Sequence, residues 1–307
     1  MARKQSSFIR RRTTTRNLEH KAHYAENVTI RSSSAANASS SQPVRVTWIT
    51  GGHSYDEDAF DGLIHGLNNV TSTLIKWPDA AELFSGSGVE KLLASTDVLA
   101  LYDLPGISFQ RGSTPSFVEP TPEIIAGWHT IVRRGMPILA MHHAIASWPT
   151  WPFFAELVKG RFHYTPAELR GVAYPDSGYS MYKEQTFTVV APSHPICEGL
   201  PTEFSLTDET YLCPIFANEV TPLITTNAPQ DDPSYLSALA AVRREEQTDW
   251  SHPAGCALVA WTHTFENSSV VYLQPGDGPE AFANVVYRQL ASNAITWLAT
   301  TKGDMSE

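Results

Sequence analysis

The run Pro137-Ile138-Leu139-Ala140-Met141-His142-His143-Ala144-Ile145-Ala146 constrains the fold of this chain more than any other stretch. Apolar residues follow Pro137, polar side chains arrive abruptly, and small residues then open a helix-like segment. That is how a buried parallel strand delivers a side chain to a strand-to-helix elbow. In open α/β sheets ligands bind just outside the carboxyl ends of the strands, so His142 and His143 stand where chemistry is usually done. Adjacent residues at a strand end point in roughly opposite directions, which predicts that one histidine faces the cleft and the other packs under the helix.

The segments around this run alternate in period. Strands are predicted at Val44–Thr50, Val70–Trp77, Val98–Tyr102 and Pro137–His142. Helices are predicted around Phe60–Leu67, where Phe60, Leu63, Ile64 and Leu67 keep helical spacing, at Pro122–Arg134, and at Ala144–Val158. Residues 160–255 are less regular, with strands expected at Thr186–Val190 and Pro222–Thr226. Strand character returns at Ala257–Thr262 and Val270–Gln274, and one last helix is expected over Pro279–Leu298. The early βαβα order predicts an α/β fold of flavodoxin-like type, a mostly parallel sheet with helices on both faces.

Charge is unevenly spread. Residues 1–42 carry eight Lys/Arg against Glu19 and Glu26, a net of +6, so with −10 overall the remainder carries −16. A body that acidic repels phosphate backbones, which argues against a nucleic-acid partner. Residues 1–42 are also rich in Ser, Thr and Arg and poor in aromatics, which predicts a disordered extension. Both an organelle transit peptide and a dispensable extension fit it. One domain is then expected over 43–300, with 301–307 as a tail. No window approaches 18 uninterrupted apolar residues, so no membrane span is expected. Cys197, Cys213 and Cys256 are sparse, odd in number and without a CxxC spacing, which suits a reducing, cytoplasmic compartment.

Four further stretches could carry chemistry. Gly51-Gly52-His53-Ser54-Tyr55 follows the first strand, and its glycines permit a tight turn and close backbone approach. Phe204-Ser205-Leu206-Thr207-Asp208-Glu209-Thr210-Tyr211, if extended, puts Glu209 and Tyr211 on one face. A carboxylate beside histidines can orient an imidazole, act as a general base, or bind a metal. Gln274-Pro275-Gly276-Asp277-Gly278-Pro279-Glu280 joins the last strand to the last helix, where Asp277 either points into the cleft or caps the helix. Trp261-Thr262-His263 offers an aromatic wall and another imidazole.

Taken in order over residues 44–300, these stretches resemble the ThuA-like (trehalose utilisation) family. The carrying segments are Gly51-Gly52-His53, Met141-His142, Gly160-Arg161-Phe162, His194-Pro195-Ile196 through Glu209, Trp261, and Gly276 through Phe282 and on to Trp297. The resemblance implies a class I glutamine amidotransferase-like fold without glutaminase activity, since His142 falls where the nucleophilic cysteine of that superfamily stands. Imidazole there cannot replace a thiolate. The resemblance also implies a link to disaccharides and their keto forms, and it places His142 at the elbow and Glu209 at the family's acidic position. The chain departs from the family at Asp277, where relatives usually carry histidine after the glycine.

The resulting expectation is a protein acting on a carbohydrate-type small molecule by acid–base or metal-assisted chemistry. His142, His143, Glu209 and Asp277 are the catalytic candidates, and His53, Tyr55, Tyr211, Trp261 and His263 the substrate-binding ones. His53 and His142 with a carboxylate, Glu209 or Asp277, would suit a divalent ion such as Zn²⁺. A homo-oligomer is compatible with the sequence. The rival reading is a non-catalytic sugar-binding or scaffolding relic of the fold.

Overall fold

β1 (Val44–Gly51), β2 (Val70–Lys76), β3 (Val98–Asp103) and β4 (Ile138–Met141) are the expected apolar runs, and all are parallel. They belong to a computed structural model that describes residues 42–231 and 233–302. Apart from Gln42, the expected N-terminal extension lies outside those residues, as do positions 303–307 of the tail. Five more strands complete the main path of the sheet: β5 (Gly178–Val189), β6 (Glu203–Leu212), β7 (Thr221–Thr226), β8 (Leu258–Phe265) and β9 (Ser268–Leu273). The order is β6-β5-β7-β8-β9-β4-β3-β1-β2, with Leu236–Ser237 pairing on β5 as a tenth strand.

Two halves of the sheet follow different rules. Strands β2-β1-β3-β4-β9 are parallel and reproduce the 2-1-3-4-5 order of flavodoxin-like folds. From β9 outward the pairings are antiparallel. Only Phe187–Val189 of β5 pair with β7. The rest of β5 and its partner β6 therefore run on past β7 as a ribbon, joined at Gly178–Tyr179 by Leu236–Ser237.

Helices α1 (Glu57–His65), α2 (Gly86–Ser95), α3 (Pro122–Arg133), α4 (Pro152–Val158), α5 (Ala238–Arg243), α6 (Pro279–Ala283) and α7 (Val285–Thr300) accompany the sheet. Side chains alternate between two cores as a strand period of two requires. Trp48, Leu139 and Leu273 pack with Phe60, Phe282 and Leu290 on one face, while Ile49, Ile138 and Leu101 pack with Trp128, Ile131 and Phe154 on the other. Each buried Leu, Ile or Phe contributes about 1.5–3 kcal/mol. No helix among the described residues is long and apolar enough to cross a membrane.

Two expected helices are broken. The one predicted from Ala144 to Val158 is a 3₁₀ turn, His142–Ala146, followed by an irregular stretch and then α4. Pro149 and Pro152 explain this, since proline lacks the donor and disfavours helix at the preceding residue. The one predicted over Pro279–Leu298 divides at Asn284, which is extended and whose side chain accepts the N–H groups of Val286 and Tyr287. A good N-cap thus restarts the helix within an otherwise continuous apolar stripe.

Candidate active site

β4 ends at an elbow whose first residue is strained. His142 has φ +48°, a left-handed conformation that non-glycine residues seldom adopt, and its carbonyl is held by the hydroxyl of Tyr272 at 2.7 Å. The His142 ring is 1% exposed. Its Nδ1–H donates to the carbonyl of Gln274 at 2.8 Å, so Nε2 points the other way. Around Nε2 lie the hydroxyl of Tyr211 at 2.7 Å, Glu209 Oε2 at 3.1 Å and Asp277 Oδ1 at 3.2 Å.

Two elements bring these oxygens to the nitrogen at the end of β4. Glu209 and Tyr211 come from the β6 ribbon, meeting the same imidazole as expected for one face of an extended segment. A bulge aims them: Asp208 pairs Lys183 and Thr210 pairs Ser180, which leaves Met181 and Tyr182 opposite Glu209. Asp277 comes from the turn after β9. Gly276 makes that turn possible with φ +128°, and a Cβ there would collide with the Tyr287 hydroxyl. The N-cap of α6 is Gly278, without a side-chain cap bond, so Asp277 points into the cleft instead of capping.

Asp208 ties these pieces together. Its buried carboxylate accepts the N–H of Gly276 at 2.6 Å, of Glu209 at 3.0 Å and of Asp277 at 3.2 Å. The alternation of an extended segment that puts Glu209 and Tyr211 on one face puts Asp208 on the other, where the sequence assigns it no role. Its signal was there all the same: a carboxylate alternating with a candidate ligand and lacking any basic neighbour. Gln274, whose carbonyl orients His142, leaves no sequence signal, because the contact is made by backbone.

The remaining candidates are sorted by the fold. His53 lines the cavity in front of the centre, on the turn after β1, where Gly52 (φ +81°) leaves room for the Leu104 carbonyl. His143 is buried behind it, stacked on His53 with ring centroids 4.8 Å apart, and does not line the cavity. Tyr55 also lies off the cavity; its hydroxyl donates to Thr50 Oγ1 and its ring packs on Phe60 and Tyr102. Trp261 and His263 do not form a wall of the site. They bond to the carbonyls of Val158 and Leu157. Because β8 is antiparallel to β9, His263 pairs with Val270, back along the sheet from its carboxyl edge, while Trp261, opposite Tyr272 near that edge, is buried in the core that packs on α4. Among the described residues, of the two expected metal-binding histidines only His142 joins a cluster, and Asp277 takes the place given to His53.

Electrostatics follow from burial set against charge. Burial pushes the His142 imidazolium down, but the hydrogen bonds and charges of Asp277 and Glu209 outweigh it and carry its pKa up to about 10. Burial pushes the Asp277 carboxyl up, and His142 outweighs that to bring it below the ordinary value. His53 moves the other way: burial, then the charge of His142, lowers it, leaving a neutral imidazole at neutral pH. The centre thus demands a positive charge at Nε2, which either a proton or a metal ion supplies.

The donor set suits a metal ion. One ligand atom each from His142, Glu209 and Asp277 lies within 4.8 Å of the others. A ligating histidine characteristically donates its other N–H to a carbonyl, as His142 does to Gln274. One nitrogen and two carboxylates is a first-row divalent set. The centre opens into a cavity of about 890 Å³, in the range that holds a drug-sized molecule.

The profile of the family described as ThuA, trehalose utilisation, matches residues 89–298. Among solved structures, a ThuA-like protein from Parabacteroides merdae is similar with a TM-score of 0.58 at 14% identity, covering 85% of this chain and 92% of its own. One from Bacteroides uniformis gives 0.57 at 16%, covering 87% and 95%. A cytoplasmic protein from Salmonella typhimurium gives 0.51 at 10%, covering 83% and 99%. At these identities the likeness is one of fold. No curated protein sequence matches the chain.

Proposed function

The chain belongs to the ThuA (trehalose utilisation) family, which ties it to carbohydrate metabolism, and from that premise we propose that it acts on a disaccharide or keto-sugar derivative by metal-assisted acid–base chemistry. The observation that carries this reading is the convergence of His142 Nε2, Glu209 Oε2 and Asp277 Oδ1 at the carboxyl edge of the sheet. A divalent ion held there would polarise a carbonyl or hydroxyl oxygen of the sugar.

The chain's own residues supply the rest. Gln274 fixes the His142 tautomer so that Nε2 offers its lone pair to the centre. The Tyr211 hydroxyl stands beside the same nitrogen on the ribbon side. Asp208 holds the backbone of both carboxylate ligands in register. His53, neutral and facing the cavity, is the group placed to take a proton from the sugar and return it. His143, stacked behind it, restrains the plane of that ring. Aspartate in place of the family's histidine at position 277 keeps a ligand there while exchanging nitrogen for oxygen.

Calorimetric titration of chelator-stripped protein with Zn²⁺ or Mn²⁺ tests the reading. One ion per chain is expected, with binding lost in His142→Ala and Asp277→Ala. Turnover of a keto-disaccharide should vanish on chelation, return with metal, and be lost in His53→Ala. Full turnover by metal-free protein would refute the metal part, and wild-type turnover by His53→Ala the proton-transfer part.

A further inference from the structure

An unbroken series of rings leads from the His142 centre out to solvent. Tyr211, beside His142 Nε2, packs on Phe162 with centroids 4.8 Å apart. Phe162 packs on Tyr164 at 5.2 Å, and Tyr164 on Phe109 at 4.9 Å. Phe109 is 37% exposed at the mouth, just past the short strand Ile107–Ser108. Also at the mouth are Met181 and Tyr182, 48% and 67% exposed, on the bulge opposite Glu209. Large apolar side chains left in water and gathered at one cavity mark a binding surface.

The cavity therefore has two chemically different ends. Its inner end holds His53 and the carboxylates of Asp208, Glu209 and Asp277; Phe109, Tyr164, Met181 and Tyr182 make its outer end largely aromatic and apolar, and Ser54, Asp56, Thr207 and Glu280 also line the cavity. Among the described residues, no Lys or Arg lines any part of it. Even with a divalent ion bound, Glu209 and Asp277 offset its charge, so a phosphate or carboxylate held away from the ion would meet further carboxylates and only His53, at a cost in both charge and desolvation. The second ring of a disaccharide would lay hydroxyls against Phe109, Phe162 and Met181, whose side chains offer no strong hydrogen bond.

We propose that the cavity is built for an uncharged glycoside, or its keto form, whose aglycone is apolar and planar: the sugar at the His142 centre and an aryl group along Phe162, Tyr164 and Phe109. This narrows the carbohydrate reading above and rests on it. Ring-on-ring contact adds to simple burial, so an aryl aglycone gains on the order of tenfold or more in affinity over a methyl one.

The test is calorimetric binding to the full chain loaded with Zn²⁺. The probes are phenyl and 2-naphthyl glucosides of both anomers, the methyl glucosides, trehalose, glucose 6-phosphate and free 2-naphthol. The expected ranking places naphthyl and phenyl glucosides at least tenfold ahead of methyl glucosides and trehalose, with glucose 6-phosphate weakest. Phe109→Ala and Tyr182→Ala, both at exposed positions, should pull the aryl-to-methyl ratio at least fivefold toward one. Methyl glucosides or trehalose binding as tightly as aryl glucosides would overturn the aglycone assignment while leaving the carbohydrate reading standing. Binding of naphthol without binding of any glycoside would overturn both.

Discussion

Asp208→Asn isolates the contribution of the carboxylate that clasps the site. The wild-type Oδ1 accepts from Glu209 and Asp277, and Oδ2 accepts from Gly276. Asparagine has one acceptor oxygen. In its better orientation that oxygen keeps the Glu209 and Asp277 bonds and turns an amide N–H₂ toward the Gly276 N–H, two donors facing at a distance that was 2.6 Å. In the other orientation two donors are orphaned. The better case still forfeits one buried, charge-assisted bond, about 1.5–3 kcal/mol. For a domain of this size that is a drop of roughly 3–12 °C in Tm. Asp208→Ala, which orphans all three N–H groups, should cost more. Because Asp208 sets the backbone of both carboxylate ligands, metal affinity in the asparagine variant should fall about 10–100-fold, as is typical when an outer partner of a metal ligand is lost. Urea unfolding and metal calorimetry on the same preparations read both effects. An Asp208→Asn protein with wild-type stability and wild-type metal affinity would refute the clasp.

Three other outcomes are expected. Asp277→Asn should abolish metal binding while leaving the fold intact, whereas Asp277→His should retain it through a nitrogen ligand; equal, undiminished binding by both variants and wild type would remove Asp277 from the centre. Trp261→Phe loses the bond to the Val158 carbonyl and should cost about 1–3 kcal/mol in urea unfolding without changing metal affinity, and a loss of metal binding would return this residue to the site. Burial raises the Asp97 carboxyl, but hydrogen bonds from Arg45 and Lys302 outweigh it and hold it well below the ordinary carboxylate range. A depressed folded pKa stabilises the native state above the unfolded value of about 3.9 and loses that contribution as pH falls further; wild-type Tm should therefore drop more steeply in acid than that of Asp97→Asn, and parallel curves would show that the network contributes nothing.

The strands of the parallel half were legible in the sequence, and so were β7, β8 and the end of β5 in the antiparallel half; what the sequence did not show is that this half runs antiparallel and which strands pair in it. Local signals suffice for Val44–Gly51, Val98–Asp103 and Ile138–Met141, because a strand buried on both faces is a bare apolar run ending abruptly at polar residues. The same reasoning puts His53, His142 and Asp277 at strand ends on one edge of the sheet. Asn284 and Pro149 show where local pattern misleads: a cap or a missing donor overrides an apolar stripe that reads as continuous. Trp261 and His263 show the larger limit. Nothing within β8 says that it runs antiparallel to β9, a direction that sets His263 back from the carboxyl edge, nor that Trp261 is buried in the core packed on α4. The carboxylates around His142 depend on tertiary structure in the same way. Glu209 reaches the imidazole across 67 positions of chain, and Gln274 across 132, by way of an overrunning ribbon and a bulge. Sequence periodicity records which face of its own element a residue occupies; which elements meet is decided by long-range pairing and packing, and the centre exists only where three of them close on one nitrogen.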